Sequence, residues 1–575
     1  MRNGRPNTVR DCGASRRSSS AAAVLLIAAA GCADGPAETP PPSASEVSEV
    51  APGPPPEWVL HNLGGFAYRN GQEQERNSIV ESVGGGVATF DYDRDGRVDV
   101  AAAGGGTFPS PDTTAGFAAG LFRNRGGFRF DAAASQAAVD VADVYSHGLA
   151  VGDYDADGFP DVAVTGYGPL RLWRNLGDGT FAERAEAAGL DDRLWGTSAA
   201  FADLDGDAVL DLFVTHYVDW SPENDPRCRG RDGVADVCPP RSFRGLPDTL
   251  FVGDGRGGFD ARPPMLDGKG LGVVLGDVDG DGDLDIYVGN DSTPNHLYVN
   301  DGSGRFTEDG LLRGVAVDDA GHPDGSMGVD LGDFDGDGLP DLWAANYESE
   351  AFALYRNLGA GAFQYASGGT GVSSIGDLFV GFGTAFEDVD GDADLDILVS
   401  NGHVVQTERQ SPIRQRPLLL ENLGGRFRPA DYEDGYFADA HIGRGLATGD
   451  LDGDGDADLV VSHNNDPVAV LENRAAAGGS ALAVRLVGVD SPREGIGAAL
   501  TLRTPSGDQR RQVLAGGSYL SSRDPEVRFF WPDRGQTAEL TVRWPSGLRQ
   551  TVDVPAGRSR AALVEGRPGV EFSGL

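Results

Sequence analysis

The sequence predicts an all-β protein, a seven-bladed β-propeller followed by a small C-terminal β-sandwich-like domain, on three observations. A nine-residue pattern, Asp-x-Asp-x-Asp-Gly-x-x-Asp, recurs seven times, starting at Asp91, Asp153, Asp203, Asp277, Asp333, Asp388 and Asp450, with alanine replacing the glycine in the third and sixth copies. Each copy lies between short apolar runs and is followed by a hairpin phrase such as Leu172-Trp-Arg-Asn-Leu-Gly-Asp-Gly-Thr-Phe181, so each unit supplies about four strands. Finally, the chain has 85 glycines and almost no long helical periodicity. Motif starts fall 50 to 74 residues apart, the size of a propeller blade; a solenoid of β-turns needs a much shorter repeat.

Residues 1–31 read as a signal peptide: Arg2, Arg5, Arg10, Arg16 and Arg17 precede the apolar run 21–30. The small residues before Cys32 resemble a bacterial lipoprotein lipobox, which implies cleavage there and acylation of the Cys32 thiol. Ordinary secretion is the alternative, and Arg16-Arg17 resembles a twin-arginine signal. Residues 32–57, rich in Pro, Ala, Ser and Glu, read as a disordered tether.

The propeller is expected over 58–473. Its seventh unit stops near Asn473 without a fourth strand, while Val59-Leu-His-Asn-Leu-Gly-Gly-Phe66 echoes the hairpin phrase at Leu419–Phe427. Residues 58–68 are therefore expected to complete the last blade and close the ring, which removes exposed strand edges. Cys228 and Cys238 lie in the longest gap between motifs, where a disulfide is expected in an oxidising compartment and a two-cysteine metal site is the alternative. After 474 the acidic repeat ends. The alternation in Leu482-Ala-Val-Arg-Leu-Val, Ala499-Leu-Thr-Leu-Arg and Ala538-Glu-Leu-Thr-Val-Arg-Trp predicts a small antiparallel β-domain, with Trp544-Pro-Ser-Gly a packed strand end and turn.

The 88 acidic and 47 basic residues give a net charge of −41, which argues against binding nucleic acid or anionic membrane through bulk charge. A merely solvated acidic surface would not keep a two-residue beat. Oxygen ligands at alternate positions of a tight loop suit a hard cation such as Ca²⁺, with glycine at position six supplying positive φ. Side-chain ligands are assigned to positions one, three, five and nine, with a carbonyl from position seven. The first three sets are Asp91, Asp93, Asp95, Asp99; Asp153, Asp155, Asp157, Asp161; and Asp203, Asp205, Asp207, Asp211. The next two are Asp277, Asp279, Asp281, Asp285 and Asp333, Asp335, Asp337, Asp341. The last two are Asp388, Asp390, Asp392, Asp396 and Asp450, Asp452, Asp454, Asp458. Up to seven structural Ca²⁺ would bring the charge from −41 to −27. Ala208 and Ala393 occupy position six, where a Cβ costs roughly 1–2 kcal/mol, so those two sites are expected to be the weakest.

Strands before and after each loop run antiparallel, so their far ends share the face opposite the loops. His147, Trp195 and His441 fall there before the loops, and His216, Asn290, Asp291, Asn346, Asn401, His403, His463 and Asn464 after them. Such side chains suit a carbohydrate or protein ligand. The alternatives are hydrogen bonds that hold irregular loops, or a transition-metal centre. No paired carboxylates outside the loops, nucleophile elbow or phosphate-cradling motif is evident, so nothing in the sequence argues for catalysis.

Several phrases, Phe66-Ala-Tyr-Arg-Asn-Gly71, Tyr217-Val-Asp-Trp220, Ser326-Met-Gly328, Ser400-Asn-Gly-His-Val404, Gly495-Ile-Gly-Ala498 and Val542-Arg-Trp-Pro-Ser-Gly547, carry a family resemblance. The blades resemble FG-GAP/VCBS repeats, the calcium-loop blades also found in integrin α-chain propellers. The whole is similar to the cartilage acidic protein family with its terminal ASPIC/UnbV domain. Arg528-Phe-Phe-Trp-Pro departs from that family's His-Phe-Gly-Leu-Gly phrase. The resemblance implies an extracytoplasmic calcium-binding propeller. The expected work is ligand binding or adhesion from a lipid-anchored position in the cell envelope. A polysaccharide-acting enzyme with its site in the funnel, and a structural subunit of an envelope complex, are the alternatives.

Overall fold

The computed structural model describes residues 55–72, 76–230, 233–405, 411–475, 479–532, 535–570 and 572–575. The expected signal peptide, Cys32 and the tether up to residue 54 lie outside the described residues.

Seven antiparallel sheets follow one another, each starting just before an acidic loop. In the second, Tyr145–Gly152, Asp161–Tyr167, Arg171–Asn175 and Phe181–Glu183 pair in sequence order. The acidic loop always joins the first strand to the second. First strands are buried along their length, as in Gly196–Ala202, and they touch in cyclic order from Val87–Phe90 round to Gly443–Gly449 and back. That arrangement is a propeller.

The seventh sheet takes its fourth strand from the other end of the chain. Trp58–Ala67 pairs antiparallel with Pro467–Asn473, with Trp58 opposite Asn473 and Asn62 opposite Ala469. Cys228 and Cys238 form a disulfide, within an excursion that packs over the face opposite the acidic loops. Among the described residues no helix is long and apolar enough to cross a membrane.

The C-terminal residues form two four-stranded sheets. One is ordered Val527–Trp531, Ser480–Val487, Arg558–Val564, Phe572–Gly574; the other is Gly507–Gln512, Ala499–Thr504, Ala538–Arg543, Arg549–Val554. The expectation of a purely antiparallel domain needs correction, because Ser480–Val487 and Arg558–Val564 run parallel. Leu482, Leu500, Phe529, Trp531, Leu540 and Trp544 are buried in one apolar cluster with Phe201, Phe213 and Ile286 of the propeller.

This domain is not merely appended, because its loop from Ala515 to Asp524 runs up the central channel and hydrogen-bonds the first strand of every sheet. Ser522 exchanges backbone bonds with Val87 and Thr89; Leu520 accepts from the Leu149 N–H and its own N–H donates to Ser198 Oγ. Gly517 N–H donates to Val273 O, and Ser518 exchanges bonds with Val329. The Ser518 hydroxyl accepts from the Thr384 N–H and donates to Leu446 O. Glycines of the inner strands admit the loop: a Cβ on Gly86 would lie 2.1 Å from Leu520 O.

Candidate metal loops and ligand cavity

One hydrogen-bond plan builds all seven acidic loops. The position-nine carboxylate accepts the N–H of position two through one oxygen, as Asp99 does from Tyr92, and an N–H of the third strand through the other, as from Asn124. It thus fastens the loop to its own sheet. Position five caps the N–H of position seven, as Asp95 does for Arg97 and Asp454 for Asp456. Position six is left-handed throughout, with φ of +85° at Gly96, +67° at Ala208 and +88° at Ala393. The two alanines therefore stand where glycine is wanted.

Positions one, three and nine converge. In the triads Asp91–Asp93–Asp99, Asp153–Asp155–Asp161, Asp203–Asp205–Asp211, Asp277–Asp279–Asp285 and Asp333–Asp335–Asp341, one oxygen from each residue lies within 4.8 Å of the others. Asp93 Oδ1, Asp153 Oδ1, Asp205 Oδ1, Asp279 Oδ1 and Asp333 Oδ1 are buried without a hydrogen-bond partner among the described residues. A buried carboxylate oxygen left so is costly. Burial first, and then neighbouring carboxylates, push Asp99 up to about 8, Asp161 to about 9 and Asp341 to about 8. Converging hard oxygens with unsatisfied lone pairs fit a divalent cation, which would hold these groups ionised.

The surroundings of the loops differ. Arg123, Arg174 and Arg356 place Nε 2.5 Å from Asp93, Asp155 and Asp335. The matching hairpin position is Glu421 beside the sixth loop and Glu472 beside the seventh. The C-terminal domain reaches others: Arg543 lies 2.7 Å from Asp277 Oδ2, Arg560 pairs with Asp450, and Glu494 accepts the Asp153 N–H. A cavity of about 310 Å³ separates that domain from the loops starting at Asp277, Asp333 and Asp388.

A feature that sequence reasoning missed ties the loops together. The asparagine that ends the third strand in six of the seven sheets donates its Nδ2 to the position-two carbonyl of the preceding loop. Asn175 reaches Tyr92 O at 2.8 Å, Asn300 reaches Leu204 O at 2.9 Å, and Asn357, Asn422 and Asn473 repeat the contact. The signal was the recurring Asn itself. Gly253 replaces it in the third sheet, and there Tyr154 stacks on Phe259 at 5.5 Å instead.

Of the eleven residues assigned to the opposite face, nine are buried: His147, Trp195, His216, Asn290, Asn346, Asn401, His403, His463 and Asn464. They make local contacts. His147 Nδ1 meets Tyr68 Oη, His216 Nε2 lies 2.9 Å from Asp192, and His463 Nε2 lies 2.8 Å from Tyr436 Oη. Asn290 accepts the Lys269 N–H, while Asn346 and Asn401 donate to Ala351 O and Arg416 O. Half-buried His441 stacks on His463 at 4.7 Å. Burial pushes His147 down to about 3 and His463 to about 4.

Asp291 is the one of the eleven that lines a cavity of about 200 Å³ at the channel mouth. Tyr217, Tyr347 and Phe382 form walls, the disulfide-pinned residues Val237 to Arg241 cover it, and Tyr519 reaches it through the channel from the C-terminal domain. Tyr217 Oη donates to Asp291 Oδ2 at 2.5 Å, and Gly325 N–H donates to Glu350 Oε2 at 2.6 Å. Burial pushes Glu350 up to about 7, with Asp291 adding to the rise. The absence of paired carboxylates outside the loops, expected from sequence, is thus corrected: Asp291 lies 74 residues beyond Tyr217 and Glu350 a further 59, so only the folded ring brings them together.

Residues 91–164, 153–214, 277–344 and 333–399 match the FG-GAP-like repeat, and residues 488–569 match the ASPIC and UnbV domain. The human (Homo sapiens) Cartilage acidic protein 1 is 25% identical over 408 residues, covering 66% of this chain and 54% of that protein. The Xenopus tropicalis protein of that name is 27% identical over 307 residues, covering 51% and 44%. The chain spans about half the length of these curated relatives. Among solved structures, one of an Agrocybe aegerita lectin with specific recognition of non-reducing terminal N-acetylglucosamine is 17% identical, covers 65% of this chain and 88% of that one, and has a TM-score of 0.36.

Proposed function

We propose that this chain, which carries FG-GAP-like repeats and an ASPIC and UnbV domain, is a calcium-stabilised propeller that works outside the cytoplasm as a ligand-binding or adhesion module. Cys32 would anchor it by lipid in the cell envelope. Calcium at the seven loops is structural: extracellular modules of this kind bind it at roughly 10⁻⁴ to 10⁻³ M, so the sites stay loaded outside the cell. The ligand, a carbohydrate or a protein, is taken on the face opposite the loops.

The observation that carries the reading is the channel-mouth cavity, with aromatic walls and a few convergent polar groups, the usual make-up of a ligand site. Screening the calcium-loaded protein on a glycan array and against immobilised matrix proteins tests it. Specific binding weakened by Tyr347→Ala supports the reading, and binding unchanged by cavity substitutions opposes it.

A second reading, a hydrolase acting on polysaccharide, is favoured by Asp291 and Glu350 facing one cavity, since such chemistry uses two carboxyl groups. A parallel hydrolysis assay on the glycans that bind separates the two. Turnover lost in Glu350→Gln would favour the enzyme.

A further inference from the structure

The channel-mouth cavity is mostly apolar, yet two carboxylates open onto it from neighbouring sheets. Asp291 Oδ2 is held by Tyr217, and Oδ1 accepts the Ser292 hydroxyl at 2.9 Å. Glu350 Oε2 is held by the Gly325 N–H at 2.6 Å. A Cβ on Gly325 would stand 3.2 Å from Asp291 Oδ1, 3.4 Å from Glu350 Oε2 and 3.1 Å from the Tyr347 Cβ. The two carboxylates therefore bracket a spot beside Tyr347 that glycine leaves clear.

Among the described residues the local charge is negative. Lys269 lies near Asp291, and exposed Arg241 sits at the rim. Against these two, Asp318 and Asp324 stand close to Glu350 as well. Like charges held together in a partly desolvated site attract a cation. Half-buried Tyr347 offers its ring to an organic cation, and buried Tyr217 and Tyr519 close the wall behind it. Phe382 contributes less, because the guanidinium of Arg444 lies 4.0 Å from its centroid.

We infer that this cavity takes a small organic cation, an amine or quaternary ammonium, with its charge between Asp291 and Glu350 and its apolar body against Tyr217, Tyr347 and Tyr519. The inference rests on the ligand-binding reading above and names the ligand's chemical class. It also gives the C-terminal domain a part in the site, since Tyr519 arrives through the channel.

The test uses the full chain in calcium and two probes of one shape: choline, and its uncharged isostere 3,3-dimethylbutan-1-ol. Calorimetry and thermal melting are expected to show saturable choline binding at least tenfold tighter than that of the isostere. Asp291→Asn keeps an acceptor for Tyr217 and Glu350→Gln keeps one for Gly325, so both should melt like the parent without probe. Each should weaken choline at least tenfold and leave the isostere unchanged. Equal binding of the two probes, no binding of either, or choline binding untouched by both substitutions overturns the cation assignment. A neutral sugar competing for the cavity would overturn it too. None of these results decides the wider reading, which the glycan and matrix-protein screen judges alone.

Discussion

Asn124 donates its side-chain N–H to the backbone carbonyl of Leu451 at 2.6 Å, across 327 residues of chain, and so joins the first sheet of the propeller to the last. The same amide donates to Val98 O at 2.9 Å, tying its own acidic loop into the contact. Both carbonyls are buried, so losing the amide leaves two acceptors unsatisfied. Asn124→Ala is expected to destabilise the protein by about 1–3 kcal/mol in denaturant melting. A neutral result would mean that strand pairing by Trp58–Ala67 closes the ring unaided.

The channel loop yields a second prediction. Leu520 is 1% exposed, surrounded by inner strands. Leu520→Asp buries an unpaired charge and is expected to cost more than about 3 kcal/mol, or to leave the product insoluble. Ser506→Asp, at the exposed turn of the same domain, is the control and is expected to fall within about 0.5 kcal/mol of the parent. If Leu520→Asp melts like the control, the loop does not occupy the channel in solution.

Position six of the acidic loops tests backbone strain alone. A Cβ on Gly96 meets nothing within 4 Å, yet φ there is +85°. Gly96→Ala is expected to cost about 1 kcal/mol, and Ala393→Gly to gain about 0.5–1 kcal/mol with tighter calcium binding. Calcium titration followed by melting checks both signs.

The loop carboxyls set the pH dependence of the chelated protein. Asp99, Asp161 and Asp341, at position nine, each have a folded pKa raised by burial, so the proton is held more tightly in the folded state. That stability is complete below the unfolded pKa, about 4, and is lost as pH rises through the folded value, about 8 for Asp99 and Asp341 and 9 for Asp161. In EDTA the melting temperature should therefore fall steadily from pH 5 to pH 9. Bound calcium favours the ionised forms, so in its presence the fall should vanish or reverse. Parallel curves with and without calcium would contradict the assignment.

The acidic loops were legible because each is a local device, with ligand spacing, position-six geometry and the following hairpin all written within about 30 residues. Ala208 and Ala393 were readable as left-handed for that reason. The pairing of Trp58–Ala67 with Pro467–Asn473 was legible because both ends carry recognisable fragments of one repeat. The channel loop was not, because Gly516-Gly517-Ser518 looks like any turn, and its partners lie as far off as Val87. The opposite face was misjudged in detail for a physical reason. Inner-strand ends converge there, so polar residues such as Asn346 and His216 are drawn into the wall and spend their hydrogen bonds holding it. Glu350 lies in an irregular segment between two strands of its repeat, and only the fold brings it to the cavity that Asp291 lines.

Thermal melting of the full chain at pH 7.5, first in excess EDTA and then after Ca²⁺ is returned, tests the central claim most directly. With each occupied loop adding about 2–3 kcal/mol at saturating ion, chelation should lower the melting temperature by at least about 10 °C, and calcium should restore it. A melting temperature unmoved by chelation would show that the crowded aspartates need no ion to fold.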